Sequence, residues 1–471
     1  MIISHGFANE DVGVFGLARS GISAIRSLVA GGARIYAWDD GEASRDAAAE
    51  AGARMMPFAA WPWERVKALI LSPGIPLNHP EPHPVVTAAH NADVPVIGDL
   101  ELFARVIQQA GTDAPQVPVI AVTGTNGKST TTALIGHILQ CCGYAAEIGG
   151  NIGRPALDLN PPAPRATYAL EVSSYQTELS PSLAPDVGIL TNISPDHLDR
   201  HGSMENYVAI KSLLLERTNK DGIICVSVDD PYCTAIHSRF AAAEKPDAIP
   251  VSVGKVLGRG VFVIDGILYD AQTVNAAKVM DLRNAARLPG AHNWQNAALA
   301  YAAVRGLFAS RQGIAEAIAS FPGLPHRIED VGRVGKVRFI NDSKATNADA
   351  AERALKCFKD IYWIAGGRSK EGGIESLRPL FGNIRKTYLI GEAADQFAQT
   401  LGEMPYENCE NLDRAFAAAA HDAQRSSAVA PVVLLSPACA SFDQFKSYEQ
   451  RGDTFRELFL ELGRSGMREA S

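Results

Sequence analysis

The feature that most constrains this chain of 471 residues is an alternation: short, nearly continuous apolar runs separated by helix-like segments along most of its length. The runs include VGVF (12–15), ARIYAW (33–38), ALILS (68–72), VPVIAVTG (117–124), YALEVS (168–173) and VGILTNI (187–193). Further on come GIICVSV (222–228), VRFIND (337–342), IYWIAGG (361–367), KTYLIG (386–391) and PVVLLS (431–436). A strand with one wet face alternates apolar and polar residues. Runs apolar throughout suit strands buried on both faces, as in a parallel sheet flanked by helices. The fold class is therefore α/β. Such sheets bind ligands beyond the carboxyl ends of their strands, and the motifs discussed below fall there.

A single core rarely grows to this size. Two Pro/Gly-bearing breaks, QQAGTDAPQVP (108–118) and FPGLPHR (321–327), divide the chain into expected domains 1–112, 113–322 and 323–471. The formal net charge of −8 argues against a nucleic-acid binder, which shows a basic stripe. It leaves anionic small molecules open, since local lysines and arginines decide those. The seven cysteines form no C-x-x-C pair and are odd in number, which favours reduced thiols over a disulfide frame or a zinc site. No run of about 18 apolar residues is present, so no membrane span is expected. The N-terminal MIISHGFANEDVGVFG lacks the charged-then-apolar pattern of a secretory leader. The expected location is the cytoplasm.

AVTGTNGKSTTTALIGHIL (121–139) reads as a buried strand, a tight glycine turn and a helix. The turn, Gly124-Thr125-Asn126-Gly127-Lys128-Ser129, is two residues shorter than the usual G-x-x-x-x-G-K-[ST] phosphate loop. Its glycines let backbone N–H groups turn inward. Lys128 opens a helix whose positive N-terminus attracts phosphate oxygens. The hydroxyl of Ser129 or Thr130 could hold Mg²⁺. The plain alternative is a solvated glycine turn capped by Ser129. A shorter loop wraps a phosphate less fully and leaves other groups to reach the terminal one. Glu171 at a strand end, His197 in a loop after a strand and Lys211 in a helix capped by Ser203 are candidates. Each also has a structural explanation: a lysine pair for Glu171, a loop cap for His197, a solvated face for Lys211. Spacing alone assigns Lys211 no task.

Near the N-terminus, Gly16-Leu17-Ala18-Arg19-Ser20-Gly21 precedes a helix, a strand and the pair Asp39-Asp40. This is close to G-x-G-x-x-G with an acid about 20 residues on. Ala18 replaces the middle glycine, and its methyl hinders close approach of a pyrophosphate. An NAD(P)-dependent oxidoreductase built on this domain and a packing turn are competing readings of this motif; for the whole chain, a nucleotide-switched binding module that hydrolyses ATP without amide chemistry is a further one.

Together, TGTNGKST (123–130), GGNIG (149–153), EVSSYQTE (171–178), SPDHLDRHGS (194–203), GAHNWQNA (290–297), LPHRIE (324–329), NDSKATN (341–347) and SPACASFDQF (436–445) resemble the Mur ligases. The matches run in the family's order from about Gly16 to Arg451. NDSKATN and SPACASFDQF are the more specific pair and resemble the branch that adds D-glutamate. In this family the short phosphate loop is the normal form.

The resemblance implies a Rossmann-like N-terminal domain, a central phosphate-loop ATPase-like domain with a mostly parallel sheet, and a Rossmann-like C-terminal domain. It also implies a monomer acting on small molecules. ATP would phosphorylate the carboxylate of UDP-MurNAc-L-alanine, and the amine of D-glutamate would attack the acyl phosphate. Gly124, Thr125, Asn126, Gly127, Lys128, Ser129 and Thr130 would hold ATP phosphates, with Asn293, Arg327 and Asp342 on the nucleotide. Ser129 and Glu171 would bind one Mg²⁺, His197 would lie near a second, and Lys211 would serve as a metal-binding carbamate. Arg19, Ser20, Asp39, Asp40, Ser72, Pro73, Gly74 and Asn151 would hold the UDP-sugar. Lys344, Thr346, Lys370, Ser441 and Phe442 would receive the amino acid. Sequence does not display a preference for D- over L-glutamate. A folylpolyglutamate synthase or a diaminopimelate-adding ligase are the neighbouring alternatives.

Overall fold

A computed structural model describes the chain except residues 42–43, 110–116, 244–245, 274, 308–309, 370–372 and 470–471. Lys370 and most of the first expected domain break therefore lie outside the described residues. The rest is α/β, with three sheets.

The first sheet contains β1 (Asp11–Phe15), β2 (Arg34–Trp38), β3 (Arg54–Met55), β4 (Val66–Leu71) and β5 (Val96–Ile97) in the order β3-β2-β1-β4-β5. All its pairings are parallel. The order reverses between β1 and β4, which makes that crevice the place for a ligand.

The central sheet contains β6 (Val119–Thr123), β7 (Ala145–Gly150), β8 (Ala166–Glu171), β9 (Val187–Leu190), β10 (Ile223–Ser227) and β11 (Asp247–Val253). It continues with β12 (Gly260–Ile264), β13 (Ile267–Ala271) and β14 (Ala277–Asp281), in the order β14-β13-β12-β11-β10-β9-β6-β8-β7. Pairing is parallel except along β12-β13-β14. Strand β6 is wholly buried between β8 and β9, so the turn that follows it opens at a reversal of strand order.

The last sheet contains β15 (Glu329–Val334), β16 (Val337–Asn341), β17 (Ile361–Gly366), β18 (Ile384–Ile390), β19 (Tyr406–Glu410) and β20 (Val432–Leu435), ordered β15-β16-β20-β17-β18-β19. Only β15 runs antiparallel, with Glu329 opposite Asn341. That register brings the start of β15 back to the carboxyl end of β16.

The chain forms two compact units. The first, Met1–Ala285 with Asn293–Phe321, carries the first two sheets; the second, Ala286–His292 with Pro322–Ser471, carries the third. Within the first unit one apolar cluster runs from Ile25, Leu28 and Phe103 to Tyr168 and Leu170. Backbone bonds from Ile2 N–H to Leu157 O (2.8 Å) and Gly98 N–H to Leu179 O (2.7 Å) join its two sheets. All seven cysteines are free thiols.

Candidate functional site

The glycine turn after β6 is held from below. Gly124 and Gly127 have φ of +139° and +86°. A Cβ on Gly127 would sit 2.2 Å from Asn296 Oδ1, and one on Gly124 would sit 2.0 Å from Thr191 Oγ1. Both positions therefore need glycine. Asn192 locks the tip: its Oδ1 accepts from Asn126 N–H (3.0 Å) and its Nδ2 donates to Asn126 O (3.0 Å). Thr125 Oγ1 lies 3.2 Å from Tyr207 Oη and donates to Ser194 O (3.1 Å). Gly127 caps the helix Lys128–Cys141, whose first-turn hydroxyls on Ser129 and Thr130 are buried.

Lys128 Nζ donates to Gly124 O (2.9 Å) and Thr125 O (2.8 Å). Lys211 Nζ donates to the same Gly124 O at 2.8 Å. Lys211 is 1 % exposed, which overturns the solvated-face reading. Burial, then the Lys128 cation, pushes the Lys211 amine well below the usual lysine range, while Asp196 and Glu171 pull the other way. Its helix, Met204–Glu216, is capped by Ser203 as expected.

Glu171 closes β8, buried, and its Oε1 accepts from Asn151 Nδ2 at 2.8 Å. His197 is the left-handed N-cap of the short helix Leu198–His201 (φ +54°). Its imidazole lies 3.4 Å from Asp196 Oδ2 and 5.3 Å from the Tyr175 ring.

Sequence reasoning missed His201. Its ring stacks on Tyr175 (centroids 5.2 Å, planes 20° apart) and packs against Tyr207 at 5.2 Å. Its Nε2 is 2.9 Å from Ser174 Oγ. Burial, then the Lys211 charge, lowers the imidazole to about 4, so it is neutral at physiological pH. Through Tyr207 it backs the loop at Thr125. The aromatic residues at 175, 201 and 207 carry no spacing signal; they meet because three helices, Ser174–Glu178, Leu198–His201 and Met204–Glu216, pack together.

Six of the expected UDP-sugar residues gather around one cleft of ≈ 260 Å³: Arg19, Ser20, Ser72, Pro73, Gly74 and Asn151. Gln176, which was not foreseen, also lines it. Arg19 Nη1 donates to Gly153 O (3.2 Å), and Arg200 holds the far wall through Gly74 O (2.8 Å) and Ile75 O (2.9 Å). Asp39 and Asp40 are outside this lining. Asp39 accepts from the N–H groups of Leu17 (2.5 Å) and Gly41 (2.8 Å), so it braces the glycine turn. Asp40 lies 3.1 Å from His83 Nε2. Arg45 lies over Trp38 at 3.9 Å, beside both aspartates.

Of the remaining candidates, Asn293 belongs to the first unit, where its Oδ1 accepts from Asn296 Nδ2 at 3.2 Å. Arg327 and Asp342 belong to the second. There Asp342 is buried and accepts from Ser436 Oγ (2.7 Å) and Ile328 N–H (3.0 Å). Burial raises its carboxyl to about 7. Lys344 Nζ stands 5.6 Å from the centre of the Tyr448 ring. Thr346 N–H donates to Lys344 O at 2.9 Å. Ser441 is buried, whereas Phe442 is 65 % exposed, an open aromatic face beside it.

Models of two protein domains match this chain: the Mur ligase middle domain over residues 122–304, and the Mur ligase glutamate ligase domain over 326–439. The chain belongs to the Mur ligase family. This Mur ligase is 48 % identical to the UDP-N-acetylmuramoylalanine–D-glutamate ligase of Caulobacter sp. strain K31, over 100 % of both chains. It is 49 % identical to the enzyme of the same name from Brucella abortus, over 98 % of both. Among solved structures, it resembles a UDP-N-acetylmuramate-alanine ligase from Thermotoga maritima (TM-score 0.60, 16 % identity, 96 % and 100 % covered). It also resembles a UDP-N-acetylmuramoylalanyl-D-glutamyl-2,6-diaminopimelate–D-alanyl-D-alanyl ligase from Acinetobacter baumannii (TM-score 0.58, 18 % identity, 91 % and 90 % covered). At those identities the likeness speaks for the α/β fold of this Mur ligase.

Proposed function

We propose that this Mur ligase is the ATP-dependent enzyme that joins D-glutamate to UDP-N-acetylmuramoyl-L-alanine in peptidoglycan precursor synthesis. The observation that carries the reading is end-to-end similarity, near half identity, to relatives bearing that activity in their names. The oxidoreductase and nucleotide-switch alternatives draw no support from those relatives.

A carboxylate is a poor electrophile, so it must be activated before an amine can attack. A carboxylate oxygen of the alanyl group attacks the γ-phosphorus of ATP and ADP leaves. The amine of D-glutamate adds to the acyl carbon and loses a proton, and the C–O bond breaks to release phosphate. Positioning three substrates removes an entropic barrier of up to roughly 7–11 kcal/mol. A helix terminus supplies about 0.3–1 kcal/mol. Holding the substrates in place is therefore the larger part of the work.

Gly124, Thr125, Asn126, Gly127, Lys128, Ser129 and Thr130 cradle the ATP phosphates in this reading, and Asn293, Arg327 and Asp342 hold the nucleoside. Arg19, Ser20, Ser72, Pro73, Gly74 and Asn151 hold the UDP-sugar, and Asp39 and Asp40 support the uridine end. Lys344, Thr346, Lys370, Ser441 and Phe442 receive glutamate, whose two carboxylates suit a lysine-bearing pocket.

The donor set fits Mg²⁺. Among the described residues no three His, Cys, Asp or Glu side chains form a metal cage. Mg²⁺ needs only one or two protein oxygens alongside substrate phosphates. Ser129 and Glu171 would supply them, with His197 near a second ion. Bound there, Mg²⁺ neutralises charge on the transferring phosphoryl group. Lys211, buried and held toward its neutral form, suits carbamate formation: its nitrogen bonds to the carbon of CO₂ and releases a proton, leaving an anionic oxygen donor.

We further assign domains 1–112, 113–322 and 323–471, a monomer, and a cytoplasmic site of action. Among the described residues no helix is long and apolar enough to cross a membrane. The test is phosphate release with UDP-MurNAc-L-alanine, ATP and Mg²⁺ across D-glutamate, L-glutamate and diaminopimelate. D-glutamate alone is expected to stimulate release. Stimulation by another amino acid in its place would overturn the assignment.

A further inference from the structure

Arg451 lies in the first turn of the helix Tyr448–Glu469 and is 1 % exposed. Its Nε donates to Ser343 Oγ (3.0 Å) and its Nη2 to Ser343 O (2.9 Å) and Cys439 O (3.0 Å). Nη1 reaches Ala440 O at 3.5 Å. Among the described residues no carboxylate pairs with it. A buried guanidinium hydrogen-bonded only to neutral oxygens, at the positive end of a helix, is unfavourable for stability taken alone, and the charges of Asp443 and Asp342 offset its burial only in part. Its acceptors identify what it does instead. Ser343 lies between Asp342 and Lys344, after β16. Cys439 and Ala440 lie just before Ser441 and Phe442, after β20.

A third strand-end loop meets the same point. Arg368, after β17, exchanges backbone bonds with Ala440 at 2.9 and 3.0 Å. A Cβ on Gly367 would come within 2.4 Å of Ala440 O and 3.2 Å of Arg451 Nη1. We propose that Arg451 is a positioning residue that fixes the loops 341–347 and 436–445 against each other, and so sets the geometry of the amino-acid subsite. The inference rests on the function proposed above. Arginine is needed because its planar fork bonds two loops at once, whereas a lysine has a single nitrogen.

The test compares full-length wild type with Arg451→Lys and the milder Ser343→Ala, measuring kcat and KM for all three substrates and the unfolding midpoint. In Arg451→Lys the KM for D-glutamate is expected to rise about tenfold or more, with KM for ATP and for the UDP-sugar within about twofold. Ser343→Ala should raise the D-glutamate KM about threefold with an unchanged midpoint. If Arg451→Lys fails to fold, Ser343→Ala decides. An unchanged D-glutamate KM, or an equal rise for all three substrates, would overturn the inference while leaving the proposed function standing. Wild type with no D-glutamate-dependent turnover would overturn both.

Discussion

Lys128 Nζ and Lys211 Nζ donate to one oxygen, the carbonyl of Gly124, at 2.9 and 2.8 Å. Two ammonium ions so placed repel each other, and the conflict is relieved when one is neutral. Lys211 is the one that burial and the Lys128 charge push below its usual range. Lys128 then remains the cation at the cradle. Under the proposed function the pair would divide the work: one charge for phosphate, one nucleophilic amine for CO₂ to convert to an anion.

Lys211→Ala therefore removes the anion source. Its turnover is expected to fall about 10²–10³-fold or more and to recover in part with a short carboxylate such as formate. Steady-state phosphate release with and without formate checks this; wild-type-like rates would remove Lys211 from the mechanism.

Lys128→Ala removes the cation but touches none of the side chains around the UDP-sugar cleft. Turnover should fall by about 10²–10³-fold, while calorimetry finds UDP-MurNAc-L-alanine affinity within about twofold of wild type. A parallel loss of that affinity would contradict the separation of the two sites.

Gly127→Ala places a methyl 2.2 Å from Asn296 Oδ1 at a φ of +86°. The strain is on the order of 1–3 kcal/mol. The expected result is a loss of ATP affinity of about tenfold or more with UDP-sugar binding retained, read by titration of each ligand.

Asp99 is buried at the start of the helix Asp99–Gln109, with neither carboxylate oxygen in hydrogen-bond geometry. Burial raises its carboxyl to about 6, against partial relief from the Leu100 N–H and Gln176 nearby. The fold thus favours the protonated acid. That contribution is full below the unfolded value of 3.8 and is lost as pH rises through about 6. Asp99→Asn, neutral at every pH, should be more stable than wild type at pH 8 by up to about 2–3 kcal/mol and nearly equal to it at pH 4. Denaturant midpoints at the two pH values check this; an equal gain at both would contradict it.

Strands with both faces covered were legible as continuous apolar runs: β1, β6, β9, β17 and β20 each coincide with one. β7, AAEIGG at the sheet edge, has too many small residues to register as a strand. β19, YENCE, is exposed at every position but Cys409, so its sequence carries no apolar pattern. The antiparallel β12–β14 were unforeseen because turn-linked strands at a sheet edge break the strand-helix alternation. In the site, the glycine turn and Glu171 could be read because backbone conformation and strand ends leave marks in sequence. The burial of Lys211, the stacking of His201 on Tyr175 and the bracing role of Asp39 could not, because each depends on partners from distant segments.

The central claim is that the cradle after β6 delivers a phosphoryl group to the carboxylate of the UDP-sugar substrate. Transfer of ¹⁸O tests it most directly: UDP-MurNAc-L-alanine labelled in its terminal carboxylate is turned over with ATP and D-glutamate, and the released phosphate is analysed by mass. One carboxylate oxygen per turnover should appear in the phosphate. Amide product formed alongside wholly unlabelled phosphate would contradict it.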